Sequence, residues 1–235
     1  MQDLDKLVEL LEKESEESAI ISYLQDIERV LLTDYFIDVC GIQIVPLWVE
    51  AYYFKERVFT DCNSHLSEKQ KNRFGQLYFH ETGRGGFDIC LSKNDNYYLS
   101  FLIKAAIVNG EFITQTGIYK TLDHAGVSES VCEQAKNILK VRDCQSEMCI
   151  LFAERVGLQK PCYKDKSLAA VPLEAITKYD FLPFARKSLA LCAEQYISTY
   201  VKTHSQCTRK EYEAECRRVF GWLPDKAAKA IKDLI

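Results

Sequence analysis

No two of the ten cysteines form a Cys-x-x-Cys pair, and the nearest two are Cys144 and Cys149. That scatter excludes a compact zinc ribbon or finger, whose ligands come in tight pairs. The four histidines, His65, His80, His124 and His204, lie too far apart for a His-x₃₋₅-His ligand pair. The sequence also lacks a Gly-Lys-Ser/Thr phosphate loop, a Gly-x-Ser-x-Gly elbow and the His-x-Glu with Cys-x-x-Cys of zinc deaminases. No apolar run approaches the ~18 residues of a membrane-spanning helix. The start, MQDLDKLVELLEKESEES, is acidic and amphipathic, without the basic and apolar regions of a signal peptide. These absences predict no metal, no cofactor, no membrane association, and reduced thiols in a cytoplasmic protein.

What remains is a chain of 235 residues, 47% hydrophobic and 27% charged, long enough for one full core. A single domain is expected over 1–235. It has N-terminal helices over 1–35, a sheet core with the site over 36–176, and a C-terminal helical segment over 177–235. Formal net charge is −4, which works against nucleic acid as a partner. The distribution offsets this: residues 1–34 hold ten acidic and three basic side chains, and residues 178–235 eleven basic and seven acidic. A basic face is therefore compatible with the acidic total.

Apolar residues recur at helical spacing over Leu4–Leu11 and Ile20–Leu32, interrupted by polar Glu14–Ser18. After Gly41, IQIVPLWVEAYYF reads as one or two strands, with Pro46 forcing a bulge or an edge. Residues 66–73 read as a short polar helix or loop. GQLYFH (75–80), FDICLS (87–92) and YYLSFLIKAAIV (97–108) read as an antiparallel meander, turned by Gly83–Gly86 and Lys93–Asn96. A helix is expected over 127–140, capped by Ser128 or Ser130. Three more are expected after Phe184: one to about His204, one opened by the box Thr208-x-x-Glu211, one near Pro224-Asp225. The fold class is α+β, a central mixed or antiparallel sheet with helices at both ends.

The stretch VEAYYFKERVFTDCNSH, Val49 to His65, concentrates chemistry. Glu50 follows the apolar Leu47, Trp48 and Val49, which predicts a carboxylate leaving a buried strand. Tyr52 shares its face at period two. An aromatic ring beside a carboxylate suits a planar, electron-poor or cationic ligand. Asp61 and His65 follow, four apart, in the turn-like Asp-Cys-Asn-Ser-His. His80 ends the strand GQLYFH, so two histidines can share one sheet edge. The GRGG run at 83–86 reads as a hairpin turn with Arg84 at its tip.

The ordered set Val49-Glu50-Ala51-Tyr52, Asp61-x-x-Ser64-His65, Gly75-Gln76-Leu77-Tyr78-Phe79-His80, Leu102-Ile103-Lys104-Ala105 and Arg155-Val156-Gly157 resembles the alkyladenine (3-methyladenine, methylpurine) DNA glycosylase family. The resemblance covers roughly residues 28–175. His80 stands where the family has a second Tyr, and Lys104 where it has Arg. The family's Tyr-Gly, which carries the duplex-wedging aromatic, is replaced by Glu81-Thr82-Gly83-Arg84, and its later Asn falls near Cys90. The C-terminal helices have no counterpart.

The resemblance implies an alkyladenine glycosylase-like fold and a DNA-repair hydrolase. Such an enzyme flips a damaged purine out of double-stranded DNA and excises it by water attack on the N-glycosidic bond. Glu50 would be the general base. Tyr52, His65, Tyr78 and His80 would hold the base, with Asp61 and Lys104 in support and Lys104 keeping Glu50 ionised. Lys69, Lys71, Arg73 and Arg84 would contact the nucleic-acid backbone. The protein would act as a monomer without metal or cofactor. The alternative is a non-catalytic nucleic-acid or nucleotide-binding protein on the same fold.

Overall fold

Two helices open the chain in the computed structural model, which describes residues 3–80, 86–135, 138–142, 150–153, 155, 174–177, 186–220 and 222–234. Helix α1, Leu4–Lys13, starts where the Asp3 side chain accepts the Asp5 amide at 3.1 Å. It buries Leu4, Leu7, Val8 and Leu11, a single stripe at helical spacing. Glu14 ends α1. Glu16 caps α2, Glu17–Thr33, by accepting the Ala19 amide at 2.9 Å. Helix α2 buries Ile20, Leu24, Ile27 and Leu31 against the sheet. The polar interruption thus acts as a stop and a start.

The sheet is antiparallel and contains ten strands among the described residues. They are β1 Tyr35–Val39, β2 Ile42–Lys55, β3 Phe59–Thr60, β4 Gln76–Phe79, β5 Phe87–Cys90, β6 Tyr98–Val108, β7 Glu111–Thr114, β8 Leu139–Val141, β9 Ile150–Ala153 and β10 Glu174–Thr177. The main order is β4-β5-β6-β2-β1-β8. Strand β2 is the spine: β6 pairs with it from Ile44 to Phe54, and its other edge is taken in turn by β1, β10 and β3. IQIVPLWVEAYYF is therefore one strand, and Glu50 lies in its interior rather than at a strand end.

The register of β2 on β6 slips at two places. Leu47 is extra on β2, and Lys104 is extra on β6, on either side of the Trp48–Ala105 pair. Pro46 lacks the N–H a regular ladder needs, and the slip beside it is the bulge its sequence predicts. The second bulge, at Lys104, had no sequence signal.

Below the slips, one face of β2, β6, β5 and β4 is apolar. Val49, Ala51, Tyr53, Leu77, Phe87, Ile89, Leu99, Phe101 and Ile103 pack there with α1 and α2 in the main core. A second cluster forms around Leu47, Trp48 and Ala105. It is closed by the C-terminal helices α5 Arg186–Thr203, α6 Arg209–Phe220 and α7 Asp225–Leu234 through Ala193, Ile197, Val201, Tyr212, Phe220 and Ile231. Bulges set successive side chains on one side of a strand, so Leu47 and Trp48 both reach these helices. The Thr208–Glu211 box is present: the Glu211 carboxylate accepts from the Thr208 amide at 2.6 Å and its hydroxyl at 2.8 Å.

The expected helix over 127–140 is shorter. It splits into α4, Glu129–Gln134, capped by Ser128, and strand β8, whose backbone pairs with the edge of β1. A free sheet edge satisfies the backbone of 139–141 and overrides a modest helical preference. Strand β7 and helix α3, Gln115–His124, follow the two-residue turn Asn109-Gly110, whose positive φ values of 49° and 90° match the twist of a hairpin. Both had gone unassigned from the pattern of the chain. The 3-10 turn Glu68–Gln70 is the polar segment expected over 66–73. No helix among the described residues is long and apolar enough to cross a membrane. Cys40, Cys62, Cys90, Cys132, Cys207 and Cys216 form no disulfide among the described residues, and Cys90, Cys132 and Cys216 are buried.

Candidate active site

Cross-strand partners share a face, so register alone gathers the site. Glu50 pairs with Leu102, Leu102 with Asp88, and Asp88 with Tyr78. This lateral row crosses four strands on the face opposite the main core. Tyr52 and Ser100 form the next row.

Glu50 is 3% exposed. Its Oε1 accepts a hydrogen bond from Lys104 Nζ at 2.6 Å, and its Oε2 accepts from the Tyr52 hydroxyl at 2.8 Å. A buried carboxylate needs a cation and donors to remain charged, and this one has both. The Lys104 ammonium lies 4.4 Å from the Trp48 ring centroid, a cation–π contact that fixes its approach. Lys104 sits two residues from Leu102, the cross-strand partner of Glu50, and so shares its face. Burial first, and the Glu50 charge next, push the Tyr52 phenol well above its ordinary pKa of 10.0, so Tyr52 remains a donor.

Asp61 lies behind Tyr52. The turn expected over 61–65 forms, with the Asn63 amide donating to Asp61 Oδ1 at 3.1 Å and the Ser64 amide to the Asp61 carbonyl at 3.0 Å. Arg155 donates to both Asp61 oxygens, at 2.6 and 3.1 Å, and to the Ala51 carbonyl at 2.9 Å. Both side chains of this pair are fully buried. The guanidinium lies 4.9 Å from the Tyr52 ring centroid. Burial opposes the Arg155 charge, but the Asp61 carboxylate outweighs it and raises the pKa.

His65, Tyr78 and His80 form a triangle of rings with centroids 5.2 to 5.6 Å apart. His65 Nδ1 and the Tyr78 hydroxyl are 2.8 Å apart. His65 is exposed, Tyr78 buried and His80 half-buried. Beneath them His80 Nε2 meets Asp88 Oδ1 at 2.7 Å. Asp88 Oδ2 accepts from Gln70 Nε2 at 3.0 Å and Ser100 Oγ at 2.9 Å. Burial lowers the His80 pKa, but the hydrogen bond to Asp88 and its charge outweigh burial and raise it above 6.5.

The structure thus brings Glu50, Tyr52, Tyr78, His80 and Lys104 to one sheet face, with the His65 ring tilted against those of Tyr78 and His80 and Asp61 tied in through Arg155. Sequence reasoning missed Trp48, Gln70, Asp88 and Ser100, and gave Arg155 no role. Asp88 alone left a trace, as a charged residue in the apolar strand FDIC. Of the expected backbone contacts, Lys69 is exposed. Lys71 is paired with Glu68 at 3.0 Å and rests on the Tyr98 ring, and Arg73 is paired with Glu133. Lys71 and Arg73 each thus enter an ion pair with a glutamate. Arg84 lies outside the described residues. No group of three or more His, Cys, Asp or Glu suited to a metal occurs among the described residues.

No protein-family model matches the chain, and no curated protein matches it significantly.

Proposed function

We propose that this protein is a DNA glycosylase-like hydrolase that accepts a flipped, damaged purine and hydrolyses its N-glycosidic bond. The observation that carries the reading is the Glu50 carboxylate, held by Lys104 and Tyr52, on the same sheet face as the His65–Tyr78–His80 ring cluster. Rings offer stacking surfaces for a planar base. Glu50 accepts a proton from water as the water oxygen attacks the sugar carbon, and Lys104 stabilises the carboxylate until then. The order of motifs from Val49 to Arg155 supports the same reading and its alkyladenine glycosylase-like fold.

The test is release of free base from duplex oligonucleotides containing an alkylated purine. Glu50→Gln preserves size but cannot take the proton, and is expected to reduce release by at least ~10²-fold. Equal rates for the two proteins remove Glu50 from the role of base. A parent that binds such duplexes but releases nothing identifies a non-catalytic binding protein.

A further inference from the structure

Trp48 has no role in the mechanism above, yet it stands where two parts of the molecule meet. It is buried with Leu47 and Ala105 in the second core cluster, where Ile197 of α5, Tyr212 of α6 and Ile231 of α7 close over the sheet. It is also two residues from Glu50 on β2, and the Lys104 side chain touches both. The C-terminal helices therefore pack on a ring that itself carries a charged group of the site.

Packing alone does not account for an indole here. Its Nε1–H is buried without a hydrogen-bond partner among the described residues. Buried indole donors usually find a partner, and an unmet one costs free energy. Leucine or phenylalanine would add apolar bulk without that cost. What the indole adds is its ring face, the strongest aromatic attractor of a cation. The Lys104 ammonium lies 4.4 Å from the ring centroid and 2.6 Å from Glu50 Oε1. Lysine is a point charge on a flexible four-carbon stem, so one partner does not fix its approach. The ring supplies a second.

We propose that Trp48 is a positioning residue: its indole face holds the Lys104 ammonium against Glu50, and the C-terminal helices act on the site by fixing the indole. Trp48 touches no reacting atom and works through Lys104. The consequence for base release rests on the glycosidic reading above. The hold on Lys104 does not, and it is measurable without any reaction.

Glu50 is surrounded by groups whose charge bears on its own. Lys104 from β6 and Tyr52 from β2 are bonded to it. Arg155 and Asp61 stand behind Tyr52, and Asp88 with His80 lies beyond Leu102. Glu174 of β10 is opposite Glu50 in the strand register. Lys104 is the member of this set that sits on the Trp48 ring, so a change of ring reaches Glu50 through Lys104.

Carbon-13 NMR of protein labelled at the glutamate carboxyl carbon follows the Glu50 titration directly, and Glu50→Gln identifies its resonance. Trp48→Leu removes the ring face and should move the titration to higher pH by about one unit, because the carboxylate loses hold of its counter-ion. Trp48→Phe keeps a ring face and should recover at least about half of that shift. Ile197→Ala loosens the helices packed on Trp48 and should shift the titration in the same direction. Leu24→Ala, a comparable truncation in the main core, should not. The acid limb of base release should follow the carboxyl, lowering release ~10-fold at its acid end in Trp48→Leu. An unmoved titration in Trp48→Leu, no recovery in Trp48→Phe, or a shift in Ile197→Ala no larger than in Leu24→Ala overturns the proposal. Where Trp48→Leu fails to fold, the comparison of Ile197→Ala with Leu24→Ala decides it. A parent that releases no base, with the titrations as expected, overturns the glycosidic reading and leaves the role of Trp48 in place.

Discussion

The Asp61–Arg155 pair is the most deeply buried ion pair among the described residues, and its worth depends on which half is removed. Arg155→Met leaves the Asp61 carboxylate buried with only its turn amide and Asn63 for company. The expected loss is ~3–5 kcal/mol, the usual range for orphaning one member of a buried pair. Urea unfolding measures it. Replacing both residues, Asp61→Leu with Arg155→Met, should recover a large part of that loss, because two desolvation penalties vanish together. A double variant as unstable as Arg155→Met would show that the pair is valued for hydrogen bonds to Ala51 and the 61–65 turn rather than for charge.

At the scale of elements, the strands depend on their turns and slips as much as on their apolar faces. The β6–β7 hairpin turns at Asn109-Gly110, and Gly110 has φ +90° with open space around its α-carbon. Gly110→Ala therefore meets no clash, and its whole cost is conformational, about 1–2 kcal/mol. A shift in the urea midpoint at constant slope is the expected signature. The bulge at Lys104 is the other such device. Lys104, two residues from the Glu50 partner Leu102, lies at that bulge and meets Glu50 across the sheet.

For the whole molecule, His80 ties stability to pH. Its folded pKa is raised above the unfolded value of 6.5, so its contribution is complete below about pH 6.5 and is lost as pH climbs through the folded value. Unfolding free energy should therefore fall as pH rises above about 6.5, and Asp88→Asn should flatten that slope. The acidic start of the chain is also more than a source of negative charge. Helix α1 places four side chains in the main core, and Lys93 binds Asp5 and Glu9 on its outer face. Deleting residues 1–14 should lower the thermal midpoint markedly, at ~1.5–3 kcal/mol for each large apolar side chain lost. Salt-dependent binding is accordingly best measured on the full chain.

The order of helices and strands was legible because local rules govern it. Capping residues, the 3.6-residue stripe of α1 and α2, the alternation of β4 to β6 and the Thr208–Glu211 box are all properties of short windows. Pro46 likewise announced a bulge by lacking a donor. Glu50, Tyr52, His65 and His80 stood out by residue type, and Glu50 and Tyr52 by their spacing. What sequence did not determine is anything fixed by register. Glu50 lies two strands from Asp88 only because β2 pairs β6 and β6 pairs β5 at particular offsets, and β8 is a strand only because β1 offers it an edge. Lys104 meets Glu50 as the resemblance implies, but the bulge at Lys104 has no local signature. Arg155, 94 residues beyond Asp61, found its partner through the fold alone. Pairing across such separations is decided by burial and by the demand that every buried charge meet its counterpart, and those terms exist only once the sheet has formed.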